Sequence, residues 1–316
     1  MTTSEHPVTL RDATSGTEAT ILPGYGFNCV SFRPVVAGEP VEVIWAEAEF
    51  GPGSRPSRSG IPLLFPFAGR LRGQEFEFRG RSYRVEGARI NSGNAIHGFV
   101  LNRPWRVVAR SASRVSGEFQ ASVDDELLVE QWPADFRIAV TYEVRGSSLL
   151  CDVEIANPDD RPLPFALGTH PYFRLPLGGS DRAACRITVP ASSSWELDGG
   201  IPTGRRDPVS GAADLRDGAR FGDVDLDAVL TDLGAERGIV RTIVDDPGSG
   251  RRLIQRFPDA FRHVVVYTAP HREAIAVEPY TCIPNPFALE EQGIDTGLRV
   301  LNPNGTFSAR IEIGLE

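Results

Sequence analysis

The run DFRIAVTYEV, Asp135–Val144, followed after Arg145-Gly146 by SSLLCDVEIAN, Ser147–Asn157, decides the fold. Large apolar side chains fall at every second position, Phe136, Ile138, Val140, Tyr142 and Val144, then Leu149, Cys151, Val153 and Ile155. Period two is the signature of a strand with one face in a core, and a turn this short joins antiparallel neighbours. GEFQASV, Gly117–Val123, reads as a third strand beside them. QEFEFRGRSYRVEG, Gln74–Gly87, alternates on both sides of Gly80 and predicts a hairpin with Phe76 and Phe78, then Tyr83 and Val85, each on one face. Thr9–Val43 reads as an opening meander, and CRITVP, HVVVYTAP, AIAVEPY and a closing alternating run add further strands. Asp198–Asp223 reads as loop-rich, and the proline-rich and glycine-rich stretch Gly51–Gly73, with IPLLFPF inside it, as a buried or lid-like loop. The expected fold class is all-β, a large antiparallel β-sandwich with few helices. All-β sandwiches often run long, so residues 1–316 are expected to form a single domain.

The 33 basic residues are all arginine, which removes Schiff-base chemistry and a phosphate-loop lysine from consideration. A net charge of −9 argues against a nucleic-acid surface, and a small-molecule partner is the expectation. Cys29, Cys151, Cys185 and Cys282 are scattered without a CxxC pair, so they are expected to be buried and reduced. Met1–Gly16 is polar and acidic, unlike a signal peptide, and no apolar run approaches membrane-spanning length. A cytoplasmic location without membrane association is therefore expected.

Two stretches share one design. PFALGTHPYFRL, Pro164–Leu175, and AIAVEPYTCIPNPF, Ala274–Phe287, each set one ionisable residue before Pro-Tyr at the end of an apolar run. His170 is the candidate acid and Glu278 the candidate base, because proton-transfer catalysis needs a donor and an acceptor in water-poor surroundings. His97, in the turn-rich stretch NSGNAIHGF, is a further candidate because loop residues carry function more often than core residues do. His6, His263 and His271 carry no such signal. His97, His170 and Glu278 could in principle form a metal site, but no HxH or HExxH spacing pre-positions ligands, and the expectation is no metal. A glycosidase would pair Glu278 with an aspartate, the two carboxylates about 5 to 9 Å apart.

FAGRLRG with its hairpin, NAIHG, WPADFRIAVTYEV, the run ending in THPYF, and VEPYT resemble, in this order and along most of the chain, the aldose 1-epimerase family, the galactose mutarotases. The resemblance implies that family's β-supersandwich, an isomerase activity interconverting α and β anomers of an aldohexose or related sugar, and no cofactor. It implies that His170 is the general acid, Glu278 the general base, and Arg70 and His97 substrate contacts. The family's sugar-binding aspartate falls on Asp227 in LDAVL, where Leu230 replaces an aromatic, with Asp225 as the rival position. HGF and GRLRG differ from the patterns usual in the galactose enzymes. Phe173, Tyr280 and Phe287 are candidates to pack on the sugar's apolar face. Two alternatives accompany this reading. One is a non-catalytic sugar-binding or regulatory protein on the same fold. The other is an epimerase of a hexose 6-phosphate gripped by Arg55, Arg58 and Arg72. A monomer or homodimer fits either.

Overall fold

The computed structural model describes residues 6–316, so residues 1–5 of the polar opening segment lie outside the described residues. Two large antiparallel sheets form a β-sandwich. The first runs, in spatial order, Arg106–Arg110, Arg114–Gln120, Arg137–Arg145, Ser148–Ala156, Thr306–Leu315, Arg251–Pro258, Ile239–Asp246, Arg186–Thr188 and Ala219–Arg220. The strands that opened the sequence reading pair along their whole length, Arg137 opposite Ala156 through Arg145 opposite Ser148. The closing strand, Thr306–Leu315, fills the middle of this sheet, bonded to Ser148–Ala156 on one side and Arg251–Pro258 on the other. Its alternate residues Ile311 and Ile313 join Ile138, Val140, Tyr142, Val153 and Ile155 in one core.

The second sheet runs Ile201–Pro208, Ala191–Asp198, Asp227–Leu233, His263–Thr268, Ala274–Tyr280, Gly168–Thr169 and Leu63–Leu64, with Tyr172–Arg174 also paired to Ala274–Tyr280. Both of its faces are covered. Leu230, Val264, Val266, Ile275 and Val277 enter the main core, whereas Val229, Val265, Tyr280, Leu64 and Trp195 gather in a separate cluster on the opposite face. Every residue of Ala274–Tyr280 is consequently buried. A strand covered on both faces loses the polar-apolar alternation and reads as a continuous apolar run, as AIAVEPY does.

The Phe76 hairpin forms as expected, Glu75–Phe78 against Arg81–Arg84, with the rings of Phe76 and Tyr83 stacked 5.3 Å apart. The opening meander is a three-stranded antiparallel sheet of Val8–Arg11, Glu18–Leu22 and Asn28–Arg33. GEFQASV departs from the expectation. Its strand ends at Gln120 and Ala121–Asp124 is a single helical turn. Two carboxylates turn the chain there, Asp124 accepting from the Gln120 amide at 2.7 Å and Asp135 from the Ser122 amide at 3.0 Å.

Four strands of eight residues each carried no clear signal. Ala191–Asp198 and Ile201–Pro208 form a hairpin inside and beside the stretch read as loop, joined through Gly199 and Gly200. Ile239–Asp246 and Arg251–Pro258 escaped because inward positions hold polar groups, with buried Thr242 donating to Gln255 at 3.0 Å. Within Gly51–Gly73, residues 59–69 are buried and residues 51–58 lie mostly towards the surface. The four cysteines are free and buried. No helix among the described residues is long and apolar enough to cross a membrane.

Gly98 ties the site loop to this frame. Its φ is +74°, and a Cβ there would lie 2.0 Å from the Phe65 carbonyl oxygen, which accepts the Phe99 amide at 2.8 Å. Gly98→Ala therefore combines a left-handed backbone with a backbone clash, and is expected to cost about 3 kcal/mol or more in urea unfolding. An unfolding midpoint equal to the wild type would contradict this.

Candidate active site

Strand register brings His170 to Glu278. Gly168 pairs with Tyr280 and Tyr172 with Ala276, so the position midway on one chain, His170, faces the position midway on the other, Glu278. Proline follows each of them, Pro171 and Pro279, and cannot donate to the ladder, which leaves this point of the sheet occupied by side-chain chemistry. His170 Nε2 lies 3.2 Å from Glu278 Oε1, with His170 5% and Glu278 1% exposed. Glu278 lies within the strand Ala274–Tyr280, and His170 directly follows the end of the strand Gly168–Thr169.

Cross-strand neighbours build the rest. Val265 lies opposite Glu278, Tyr267 opposite Ala276, and Asp227 opposite Tyr267, so these side chains share the face that carries the second cluster. Together they bound a cavity of about 150 Å³. Arg70, His97, Asp227, His170 and Glu278 all line it. Arg70 comes from the two-residue strand Arg70–Leu71, directly opposite Ile96, which sets His97 beside it. His97 has φ +67°, donates its amide to the Gly69 carbonyl at 2.9 Å, and meets His170 edge to face with ring centroids 5.6 Å apart. Gly200 makes room for Arg70: a Cβ there would lie 2.2 Å from Nη1. Arg70 Nε, His97 Nδ1 and His170 Nδ1 are buried without a hydrogen-bond partner among the described residues.

Asp225 is exposed and does not line the cavity, because the strand and its pairing begin at Asp227. Tyr280 lines it, and its hydroxyl donates to Glu278 Oε2 at 2.8 Å. Phe173 and Phe287 do not. Phe173 has opposite strand parity to Tyr172 and packs in the main core, and Phe287 stacks on Phe76 with centroids 4.0 Å apart. Of the proposed phosphate arginines only Arg58 lines the cavity; Arg55 is exposed, and Arg72 pairs with Asp198 at 3.8 Å. Tyr172, which stacks on His170 at 4.7 Å and 15°, and Tyr267 also line the cavity, though no motif marks either of them. Tyr172 was recoverable, since residues two apart on a strand share a face.

Burial governs the electrostatics. It pushes His170 down to about 3 and His97 well below the usual imidazole range, where the neighbouring His170, Arg70 and Arg89 act in the same direction. It also pushes Glu278 well above the usual carboxylate range, against the lowering influence of the Tyr280 hydrogen bond and the Arg70 charge, with Asp227 raising it further. Each group resists carrying charge alone, which favours one proton held between the contacting pair. No group of three or more His, Cys, Asp or Glu side chains among the described residues is arranged to hold a metal ion.

The features described so far place a buried histidine-carboxylate pair in a cavity on the face of the second sheet turned away from the main core. A family model described as aldose 1-epimerase matches residues 8–314, and the chain belongs to that family. The Escherichia coli protein YphB is 27% identical over 169 residues, which make up 50% of this chain and 51% of that one, so the match spans about half the length of this curated relative. A galactose mutarotase-like protein from Clostridium acetobutylicum superposes with a TM-score of 0.82 at 21% identity, covering 96% of this chain and 93% of that one. The GalM/aldose epimerase homologue from C. elegans gives 0.80 at 20% identity, covering 98% and 99%. At these identities the structural likeness shows the fold.

Tyr280→Phe removes the one donor on Glu278 Oε2. It is expected to raise the proton affinity of Glu278 further and to lower stability by about 1–3 kcal/mol in urea unfolding. A variant as stable as the wild type would mean that the bond contributes nothing.

Proposed function

We propose that this protein is an aldose 1-epimerase interconverting the α and β anomers of an aldohexose or related sugar by general acid-base ring opening. The observation that carries the reading is the contact of His170 with Glu278 at 3.2 Å, buried in a cavity shared with Arg70, His97 and Asp227. O1 and the ring oxygen O5 are both bonded to C1, so two groups this close can address both oxygens at once. The single proton of the pair moves from Glu278 to His170 without exchange with solvent, and the charge of Arg70 and the Tyr280 hydroxyl both favour the carboxylate so formed.

Glu278 then takes the proton from the anomeric hydroxyl while His170 delivers its own to O5. The C1–O5 bond breaks and the open-chain aldehyde forms. Rotation about C1–C2 presents the other carbonyl face, and the reverse transfers close the ring with inverted configuration at C1. The pair recovers its proton and nothing else is consumed. Arg70 and Asp227 hold hydroxyls by charge-assisted hydrogen bonds. His97, kept neutral by burial, is both donor and acceptor, as suits a hydroxyl.

Polarimetry of freshly dissolved α-glucose and α-galactose tests the reading. The wild type is expected to accelerate relaxation of at least one of the two, and His170→Asn and Glu278→Gln each to lose about 10²–10⁴ in kcat. His97→Asn is expected to raise KM more than it lowers kcat. Wild-type rates in either His170→Asn or Glu278→Gln would overturn the assignment.

A further inference from the structure

Arg70 stands on a strand of only two residues, Arg70–Leu71, at the edge of its small sheet, so strand pairing alone does little to fix it over the cavity. Successive residues of a strand turn their backbone groups to opposite edges. One edge here meets Asn94–Ile96 and its neighbours, the Gly69 and Gly73 carbonyls accepting the amides of His97 at 2.9 Å and of Ala95 at 2.6 Å. The other edge carries the Arg70 carbonyl and the Arg72 amide, and no strand pairs with it. Asn285 takes that place. Its amide donates to the Arg70 carbonyl at 2.7 Å, and its Oδ1 accepts from the Arg72 amide at 3.1 Å. One residue thereby supplies, from its backbone and its side chain, the two bonds that a further strand would make.

Asn285 has φ +57° and ψ +45°, the left-handed region that asparagine enters more readily than most residues with a side chain. It belongs to the loop that leaves the strand of Glu278, and that loop is itself tied down. Thr281 donates its amide to the Leu167 carbonyl at 2.9 Å, and Ile283 donates its own to the Thr296 carbonyl at 3.1 Å. Pro284 lines the cavity and closes on Gly69, where a Cβ would lie 2.4 Å from Pro284 Cγ. The far end of Arg70 is held less firmly, with Nη1 reaching the Gly200 carbonyl only at 3.5 Å and Nε unpartnered among the described residues. The direction of the guanidinium therefore follows the backbone that Asn285 pins.

We propose that Asn285 is the positioning residue of Arg70, setting the angle at which the guanidinium meets the substrate and its spacing from Glu278. The effect on substrate rests on the epimerase reading, whereas the effect on Arg70 does not. Asn285→Gly keeps a left-handed backbone and removes Oδ1, and Asn285→Asp leaves an acceptor in its place. In Asn285→Gly, KM for a sugar that the wild type turns over is expected to rise about fivefold, the equivalent of one hydrogen bond, with kcat within about twofold. Asn285→Asp is expected to bring KM back to within about twofold of the wild type. Added to Arg70→Ala, Asn285→Gly is expected to move KM by less than about twofold, because residues that act through one contact are not additive. An unchanged KM in Asn285→Gly, no recovery in Asn285→Asp, or the same rise on top of Arg70→Ala would overturn the proposal. A second readout needs no turnover: the buried Arg70 Nε–H signal in a nitrogen-proton correlation spectrum, assigned by its loss in Arg70→Lys. It is expected to shift in Asn285→Gly and to return in Asn285→Asp. Turnover of no sugar would overturn the epimerase reading, and this signal then decides alone, a shift upholding the link from Asn285 to Arg70 and an unmoved signal rejecting it. Asn285→Ala gives the same contrast with Asn285→Asp if the glycine variant does not fold.

Discussion

The contact between His170 and Glu278 is the constraint on which the site depends. Two ionisable groups, each almost wholly buried, are held 3.2 Å apart. Burying a lone charge is costly, and a buried pair persists only when its remaining lone pairs and protons are engaged. The structure answers with the Tyr280 hydroxyl on the far carboxylate oxygen and the Arg70 charge nearby. In the proposed reaction such a pair supplies an acid and a base from one neutral unit.

The frame that enforces this contact is the second sheet. Covered on both faces, it turns one face to the main core through Val264, Val266, Ile275 and Val277, and the other to the cavity. Because each strand alternates, Glu278 and Ala276 share the cavity face with Val265 and Tyr267, and the register of Gly168 and Tyr172 does the rest. The same register runs on past Ala276 towards Ala274, beneath the aromatic wall of Tyr172 and Trp45.

Much of the architecture was readable from alternation alone. Strands with one covered face, such as Arg137–Arg145 and Ser148–Ala156, announce themselves by period two, and the Phe76 hairpin does so on both sides of its turn. Ile239–Asp246 and Arg251–Pro258 did not, because Thr242 and Gln255 satisfy each other inside and blur the pattern. At the site, the two Pro-Tyr motifs singled out His170 and Glu278, but their juxtaposition is a matter of pairing between segments about a hundred residues apart, which no local pattern contains. The choice of Asp227 over Asp225 waited on knowing where a strand begins. Phe173 illustrates the opposite case: strand parity alone separates it from His170 and joins Tyr172 to the site.

The most direct test is the pH dependence of kcat/KM for anomer interconversion by the wild-type protein. Activity in this account requires the pair to hold one proton. It falls on the acid side only where His170 takes up a second, near the lowered value of about 3 rather than the ordinary 6.5. It falls on the alkaline side where the pair gives up its last proton, well above the usual carboxylate range. A plateau spanning neutrality is expected, with no inflection near the ordinary imidazole value. An acid limb centred there, or no enzymatic interconversion at any pH, would contradict it.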